Sequence, residues 1–297
     1  MDETDRLAAA IVRTVAYSDV FNYPLTAVQI HRYLEGLAAP LADVERVLAH
    51  GRLLPQNLSR RGNFFMLAGR EEIAAVRQER EIISHWLWPR AARYGRLIAL
   101  LPFVRMAAVT GSLTMNNADA EADTDYLIVT KKGRVWLTRA LIILVVRLAR
   151  RGGIDLCPNY ILAENALAFS DRNLYVAHEV AQMVPLSGMD VYWRLRRVNE
   201  WTAAFLPNAA GPSRKIPQAY PGFWQKAAEL PLRTAVGGWL ERWEMERKIR
   251  KFNAQETAVS ETSFSPDYCK GHFEAYNRPT MSAYQLTIDN CQLPIGN

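Results

Sequence analysis

The sequence has few cysteines and no arrangement of them that suggests a disulfide framework. Its 297 residues include three cysteines, Cys157, Cys269 and Cys291, and none of them belongs to a CxxC pair. An odd and widely spaced set is not typical of a secreted protein held together by disulfides. The sequence therefore favours a reducing, cytoplasmic setting.

Long apolar runs are also missing. The longest strongly apolar stretches are residues 97–104 and 140–146, and both fall far short of the ~20 residues that a transmembrane helix needs. The beginning of the sequence has acidic side chains where a signal peptide has basic ones. We therefore expect neither a transmembrane segment nor a membrane partner.

The histidines do not form a zinc-binding pattern. None of the five is spaced from another as HxH, HxxH or HxxxH, so a zinc site is not expected. His178 is followed by Glu179 within a helical pattern, and we interpret these two as an exposed or core-edge pair rather than a catalytic one. The histidines are His31, His50, His85, His178 and His272.

What the sequence does contain is the balance of apolar and charged residues found in folded proteins. Hydrophobic residues make up 49% of the chain and charged residues 22%, with no low-complexity block. The formal net charge of +6 favours encounters with phosphate-bearing ligands through a long-range electrostatic field. A chain of this length is long enough for two or three domains, each with a core of its own.

Residues 1–70 predict three short helices followed by a hairpin, which is the order of a winged helix-turn-helix. The second helix is predicted to begin at a capping box, in which Thr26 and Gln29 satisfy each other's backbone N–H groups. The third helix is predicted to end at Gly51, a residue suited to a left-handed C-cap. We therefore expect a winged-helix-like module in this part of the chain.

The surface of this module has little positive charge for binding DNA. The polar side of the predicted third helix carries Asp43, Glu45 and Arg46 and is close to neutral. Only Arg60 and Arg61 make the wing basic. Because a protein that neutralises several phosphates usually has more positive charge than this, DNA binding by the module is allowed but not favoured. A packing or partner-recognition role is the preferred interpretation.

The rest of the chain divides into three parts. A connecting helix is predicted at residues 71–100, a central α/β part at 101–185 and a helical region at 186–297. In the helical region, Trp239 and Trp243 stand four residues apart and are predicted to be packed core residues. The last forty-five residues show only weak helical signal, so no firm structure is predicted for them.

The residues that predict chemistry stand in the central part. Gly111 and Ser112 follow a short apolar strand candidate, and after ten further residues Asp123 and Asp125 lead into a second apolar strand. Two carboxylates at positions i and i+2 of a strand point to the same face, so both can hold divalent cations there. A Gly-Ser turn offers unhindered backbone N–H groups and a hydroxyl to the phosphates of a nucleotide.

This arrangement resembles the Gly-Ser, spacer, Asp-x-Asp signature of the DNA polymerase beta-like nucleotidyltransferase superfamily, over about residues 96–185. The resemblance implies metal-dependent transfer of a nucleoside monophosphate from a nucleoside triphosphate such as ATP to an acceptor that the sequence does not identify. Asp123 and Asp125 would be catalytic and would hold Mg²⁺ or Mn²⁺, while Gly111 and Ser112 would hold the triphosphate.

The sequence pattern and the resemblance together give the overall fold class, which is α/β (α+β). The pattern predicts the N-terminal winged-helix-like module and the helical C-terminal region. The resemblance implies that the central nucleotidyltransferase domain between them is a small mixed sheet with helices on it.

The resemblance also implies a third carboxylate on a later strand. Asp155 stands between two apolar residues and is the candidate for this catalytic, metal-binding position. Asn159 is the alternative occupant, because the strand register is open by a residue or two. With Asn159 in that place the site keeps only two acids, and the chain would be a catalytically silent nucleotidyltransferase-like protein that binds nucleotide as a sensor, regulator or assembly partner.

Overall fold

The chain folds into the mixed α/β class that the sequence predicts. In this computed structural model a six-stranded mixed sheet packs against helices, a two-stranded hairpin stands apart from the sheet, and the C-terminal region is largely helical. Within the described part of the chain, no helix has both the length and the apolar character needed to cross a membrane. Gly51 and His272 lie outside the described residues. The structure describes residues 2–50, 53–220, 222–253, 263–270 and 276–291.

The N-terminal residues form three helices and a hairpin in the predicted order. Thr26 and Gln29 cap each other's backbone N–H groups at the start of the second helix, which confirms the predicted capping box. The two hairpin strands run antiparallel, with Leu58 opposite Leu67. The elements are α1 (Glu3–Asp19), α2 (Ala27–Arg32), α3 (Leu41–Ala49), β1 (Leu58–Arg61) and β2 (Phe64–Leu67).

The central sheet has six strands, two of which come from the C-terminal region. They are β3 (Val104–Val109), β4 (Thr124–Thr130), β5 (Leu156–Ala163), β6 (Val184–Ser187), β7 (Ser263–Ser265) and β8 (Tyr268–Lys270). Their order in the sheet is β6-β3-β4-β5-β8-β7. Strands β4 and β5 run parallel and the other neighbours antiparallel. The sheet therefore extends beyond the central part of the sequence, into residues for which no firm structure is predicted.

Helices enclose the sheet and join it to the N-terminal module. Helix α4 (Ile73–Ala99) leads from the hairpin to β3 and packs against that strand, and α5 (Val135–Arg151) makes the crossover that the parallel pair β4 and β5 requires. The later helices are α6 (Leu174–Gln182), α7 (Met189–Val198), α8 (Thr202–Phe205), α9 (Phe223–Leu232), α10 (Ala235–Asn253) and α11 (Asn277–Asn290).

Helix α1 is buried on almost every side. Its residues 7–18 are buried apart from Arg13, and a helix that is apolar all round has to be enclosed by protein. Ile11 lies in the core that the N-terminal helices share. Tyr17 lies in another core, with Ala177 of α6 and Tyr284 of α11. The N-terminal module is therefore packed firmly against the rest of the protein.

The prediction that Trp239 and Trp243 are core residues is wrong. They are 56% and 51% exposed, and their rings stack on each other with centroids 6.4 Å apart. Helix α10 instead turns Glu241, Glu244 and Phe252 inward, toward α5. The buried face of α10 is therefore not the face that carries the two tryptophans. Two of the three buried residues are acidic, and apolar periodicity does not predict the burial of acids.

One of these buried acids caps helix α5. The carboxylate of Glu241 accepts hydrogen bonds from the backbone nitrogens of Trp136 and Leu137, at 2.9 and 2.7 Å. Arg134 at the N-cap provides no side-chain hydrogen bond of its own. A negative group at this end also interacts favourably with the helix dipole. A C-terminal helix therefore holds the crossover that places β5 beside β4.

We expect Glu241→Ala to lower the free energy of unfolding by about 2 kcal/mol, because two buried N–H groups lose their acceptor. Urea denaturation of the full chain measures this change. The control is Glu246→Ala on the same helix, an exposed acid whose removal should change the free energy by less than about 0.5 kcal/mol. Equal effects of the two substitutions would show that the cap does not stabilise the fold.

Candidate functional site

The residues of the predicted signature line one cavity. It has a volume of about 670 Å³ and lies between α1, the turn after β3, the start of β4 and helix α6. Gly111, Ser112, Asp123 and Asp125 all contribute to its wall. A cavity of this size is within the range of small-molecule and cofactor sites.

The turn after β3 depends on the absence of a side chain at Gly111. This residue has φ +70° and ψ −162°, a region that is essentially restricted to glycine. A Cβ atom built there would lie 2.2 Å from Oδ2 of Asp125. Glycine is therefore needed for Asp125 to pack against the turn. Ser112 follows it, exposed at the cavity, as the first residue of a short 3-10 helix, Ser112–Met115.

Two carboxylates and a thiol lie close together beside this turn. Asp123 is exposed just before β4, and Asp125 is half-buried within it. One oxygen of each carboxylate and the Sγ atom of Cys157 lie within 4.8 Å of one another. Burial, the charge of Asp123 and the charge of Glu179 raise the pKa of Asp125 well above its usual range. The geometry and the electrostatic repulsion between the acids are those of a site that a cation would stabilise.

Asp155 does not belong to this group, which corrects the prediction of a third carboxylate ligand. It precedes the first residue of β5, and its carboxylate pairs with Arg150, with Nε and Oδ1 3.0 Å apart. Its side chain is 60% exposed. Because β5 begins at Leu156, Asp155 precedes the strand, and its side chain pairs with Arg150 instead of lining the cavity.

Asn159 and Cys157 occupy the place that the third carboxylate was expected to fill. The parallel register sets Asp125 beside Cys157, and the side-chain nitrogen of Asn159 donates a short hydrogen bond to Asp125. The thiol of Cys157 donates to the side-chain oxygen of Asn159 at 2.6 Å. Sequence reasoning missed Cys157, although its position two residues before Asn159 places both on the same face of β5.

The cavity is acidic and aromatic. Four of its wall residues are acids, namely Asp119, Asp123, Asp125 and Glu179, whereas no lysine or arginine lines it among the residues that the structure describes. This contrasts with the net charge of +6 of the whole chain. Aromatic side chains from the N-terminal module, from α6 and from the start of α11 form much of the remaining wall: Tyr17, Phe21, Tyr23, Tyr33, Tyr175 and Tyr276.

His178 and Glu179 lie at the edge of the cavity, and they differ in burial. His178 is buried, with its ring stacked on that of Tyr17 at a centroid distance of 4.0 Å, and burial lowers its pKa to about 3. It is therefore neutral in the folded protein at ordinary pH. Glu179 is half-buried in the cavity wall, where burial raises its pKa to about 7 and the charge of Lys270 opposes that shift. Of the two predicted settings, exposed or core-edge, the exposed one does not hold for His178, which is buried beside the cavity.

No protein-family model matches this chain, and neither a curated protein nor a solved structure matches it significantly. The resemblance to nucleotidyltransferases therefore depends on the signature residues alone. The function therefore follows from the chemistry of the cavity, because a fold does not by itself determine a function.

We expect Gly111→Ala to destabilise the protein by about 3 kcal/mol, since the added Cβ meets the Asp125 carboxylate in a backbone conformation that alanine avoids. Gly133→Ala is the matched control. Gly133 also has positive φ, +66°, but open space around it, so its substitution should cost only about 1 kcal/mol. Similar losses for both variants in urea denaturation would show that contact with Asp125 does not matter.

The buried imidazole of His178 predicts a pH dependence of stability. Below the ordinary histidine pKa of about 6.5 the unfolded chain takes up a proton that the folded state refuses, so stability falls as the pH is lowered. The loss from this group between pH 6.5 and 5 is about 2 kcal/mol. His178→Phe keeps a ring beside Tyr17 and should remove that part of the pH dependence, whereas an unchanged slope in urea denaturation would contradict it.

Proposed function

We propose that this protein binds a nucleoside triphosphate with a divalent cation, Mg²⁺ or Mn²⁺, and transfers the nucleoside monophosphate to an acceptor hydroxyl or similar group, with release of pyrophosphate. The observation that supports it is the convergence of Asp123, Asp125 and the Gly-Ser turn on one cavity of nucleotide size. A cation held by the carboxylates would neutralise the phosphates and make the acceptor hydroxyl a better nucleophile.

The donor atoms in the cavity suit a divalent cation and favour Mn²⁺ over Mg²⁺. Carboxylate oxygens are the ligands of Mg²⁺ and Mn²⁺, whereas a thiol is a soft ligand. Burial and the nearby acids raise the pKa of the Cys157 thiol well above its usual range, so it is protonated without a metal. Asp123 and Asp125 would therefore be the main ligands of the cation, and the sulfur of Cys157 would make the site bind Mn²⁺ better than Mg²⁺.

The charge of the cavity wall makes triphosphate binding depend on the metal. The cavity has no lysine or arginine among its described wall residues, so its charged side chains are all acids. Coulomb repulsion would then exclude a free triphosphate. A cation at Asp123 and Asp125 would reverse the sign of the field where the phosphates lie.

A second candidate, a catalytically silent nucleotide-binding protein, is supported by Asn159. Its amide stands beside Asp125 where the third carboxylate was expected, and an amide cannot accept a proton from an attacking hydroxyl. The chain would then bind metal and triphosphate without transferring the nucleotide, and would act as a sensor, a regulator or an assembly partner. The two candidates share one binding site and differ in turnover.

Calorimetry with a non-hydrolysable ATP analogue tests the shared binding step. With Mn²⁺ we expect measurable affinity, and with EDTA none. Replacing both acids, Asp123→Asn with Asp125→Asn, should remove the gain from metal, at least a tenfold loss of affinity, because the ligands for the cation are gone. Asp155→Asn is the matched control, and the parent affinity should be kept. Metal-independent binding, or equal affinity of the parent and the double variant, would refute the proposal.

A transfer assay separates the two candidates. The intact chain is incubated with labelled nucleoside triphosphate, Mn²⁺ and a panel of small-molecule, protein and RNA acceptors. Transfer that the double variant lacks, and that Asp155→Asn retains, supports the transferase. Tight metal-dependent binding without transfer to any acceptor supports the silent alternative.

A further inference from the structure

Glu179 is a carboxylate in the wall of the large cavity with no direct ion pair among the residues that the structure describes. Among the described residues, none forms a hydrogen bond or an ion pair with it. The charge of Lys270 acts on it, but the Nζ atom of Lys270 lies 3.9 Å from Oδ2 of Asp171 and over the ring of Tyr160. Since a charge withdrawn from water is costly unless it is paired, a carboxylate placed in this way is ready to receive a cation.

The acidic character of the cavity extends beyond the candidate metal ligands. A divalent cation at Asp123 and Asp125 would leave Glu179 on α6 and Asp119 on the loop before β4 unneutralised. Two acids therefore remain for another positively charged ligand. A nucleotide provides none, because its phosphates are anionic.

The aromatic wall suits an organic cation better than a second metal ion. Tyr17 and Tyr23 belong to this wall but are only 4% and 3% exposed, and one face of each ring is already covered, by His178 at 4.0 Å and by the guanidinium of Arg77 at 4.3 Å. Phe21 remains 37% exposed. Aromatic rings attract ammonium groups through their faces and also pack against an apolar body, whereas a hydrated metal ion gains little from them.

We propose that this cavity binds an organic amine, a molecule with an ammonium group and an apolar or aromatic body, and that Glu179 is the counter-ion of the ammonium. The site does not depend on nucleotide binding.

The test uses two probes that differ in the charged group alone, phenethylamine and 2-phenylethanol. Calorimetry is performed on the full chain at low salt, with EDTA and without nucleotide, so that the metal site plays no part. We expect phenethylamine to bind at least tenfold more tightly than the alcohol. Equal affinity for both probes, or no binding of either, would overturn the proposal and leave the triphosphate proposal untouched.

Two pairs of variants locate the amine in this cavity. Glu179→Gln should reduce the preference for the amine to threefold or less, whereas Glu164→Gln should keep it, because Glu164 is a partly exposed acid outside the cavity wall. Phe21→Leu should weaken the binding of both probes several-fold. Phe223→Leu is the control, because that ring is 75% exposed and lies outside the cavity wall, and it should leave both affinities unchanged. A preference that survives Glu179→Gln would refute the role of Glu179. Should Glu179→Gln fail to fold, the Phe21 pair decides, since unchanged affinities in Phe21→Leu would place the amine elsewhere.

Discussion

The parallel pairing of β4 with β5 is the interaction on which the candidate site depends. It places Asp125 beside Cys157 and brings Asn159 within hydrogen-bonding distance of that acid. A slip of one residue would turn both β5 side chains to the opposite face of the sheet. The pairing requires α5 as a crossover, and α5 is capped by Glu241 from the C-terminal region. Residues far away in the sequence therefore determine the geometry of the acids.

The N-terminal module also acts on the site through packing. Helix α1 has almost no exposed surface between residues 7 and 18, and its Tyr17 stacks on His178 of α6 while lining the cavity. The outward side of α3 gains no positive character, because Arg46 pairs with Asp43 at 2.7 Å. These contacts favour the module as a wall of the cavity over the module as a reader of DNA.

Features determined by neighbouring residues could be predicted from the sequence, and features determined by distant ones could not. The capping box of α2 and the proximity of Asp123 and Asp125 at the start of β4 follow from local spacing. The direction of the Asp155 side chain depends on where β5 begins and on the guanidinium of Arg150, which pairs with its carboxylate. Strand β8 is placed by its pairing with β5, since Cys269 lies opposite Ile161, and its own short sequence has no pattern that reveals this partner.

The distribution of charge explains how a basic protein can have an acidic cavity. The positive side chains are used elsewhere, as in the ion pairs of Arg105 and Arg233 with the buried Glu229. The long-range field can still attract a polyanion toward the protein, but the cavity wall repels it at close range. The proposed triphosphate would therefore need a cation in the cavity, whereas the proposed organic amine would meet favourable charges at the cavity wall without one. The charge of Glu179 acts on Asp125. A cation bound beside one of these acids would therefore change how tightly the other acid binds its own cation. Metal and amine would then not bind in the cavity independently, because the acids that would bind them interact electrostatically with each other.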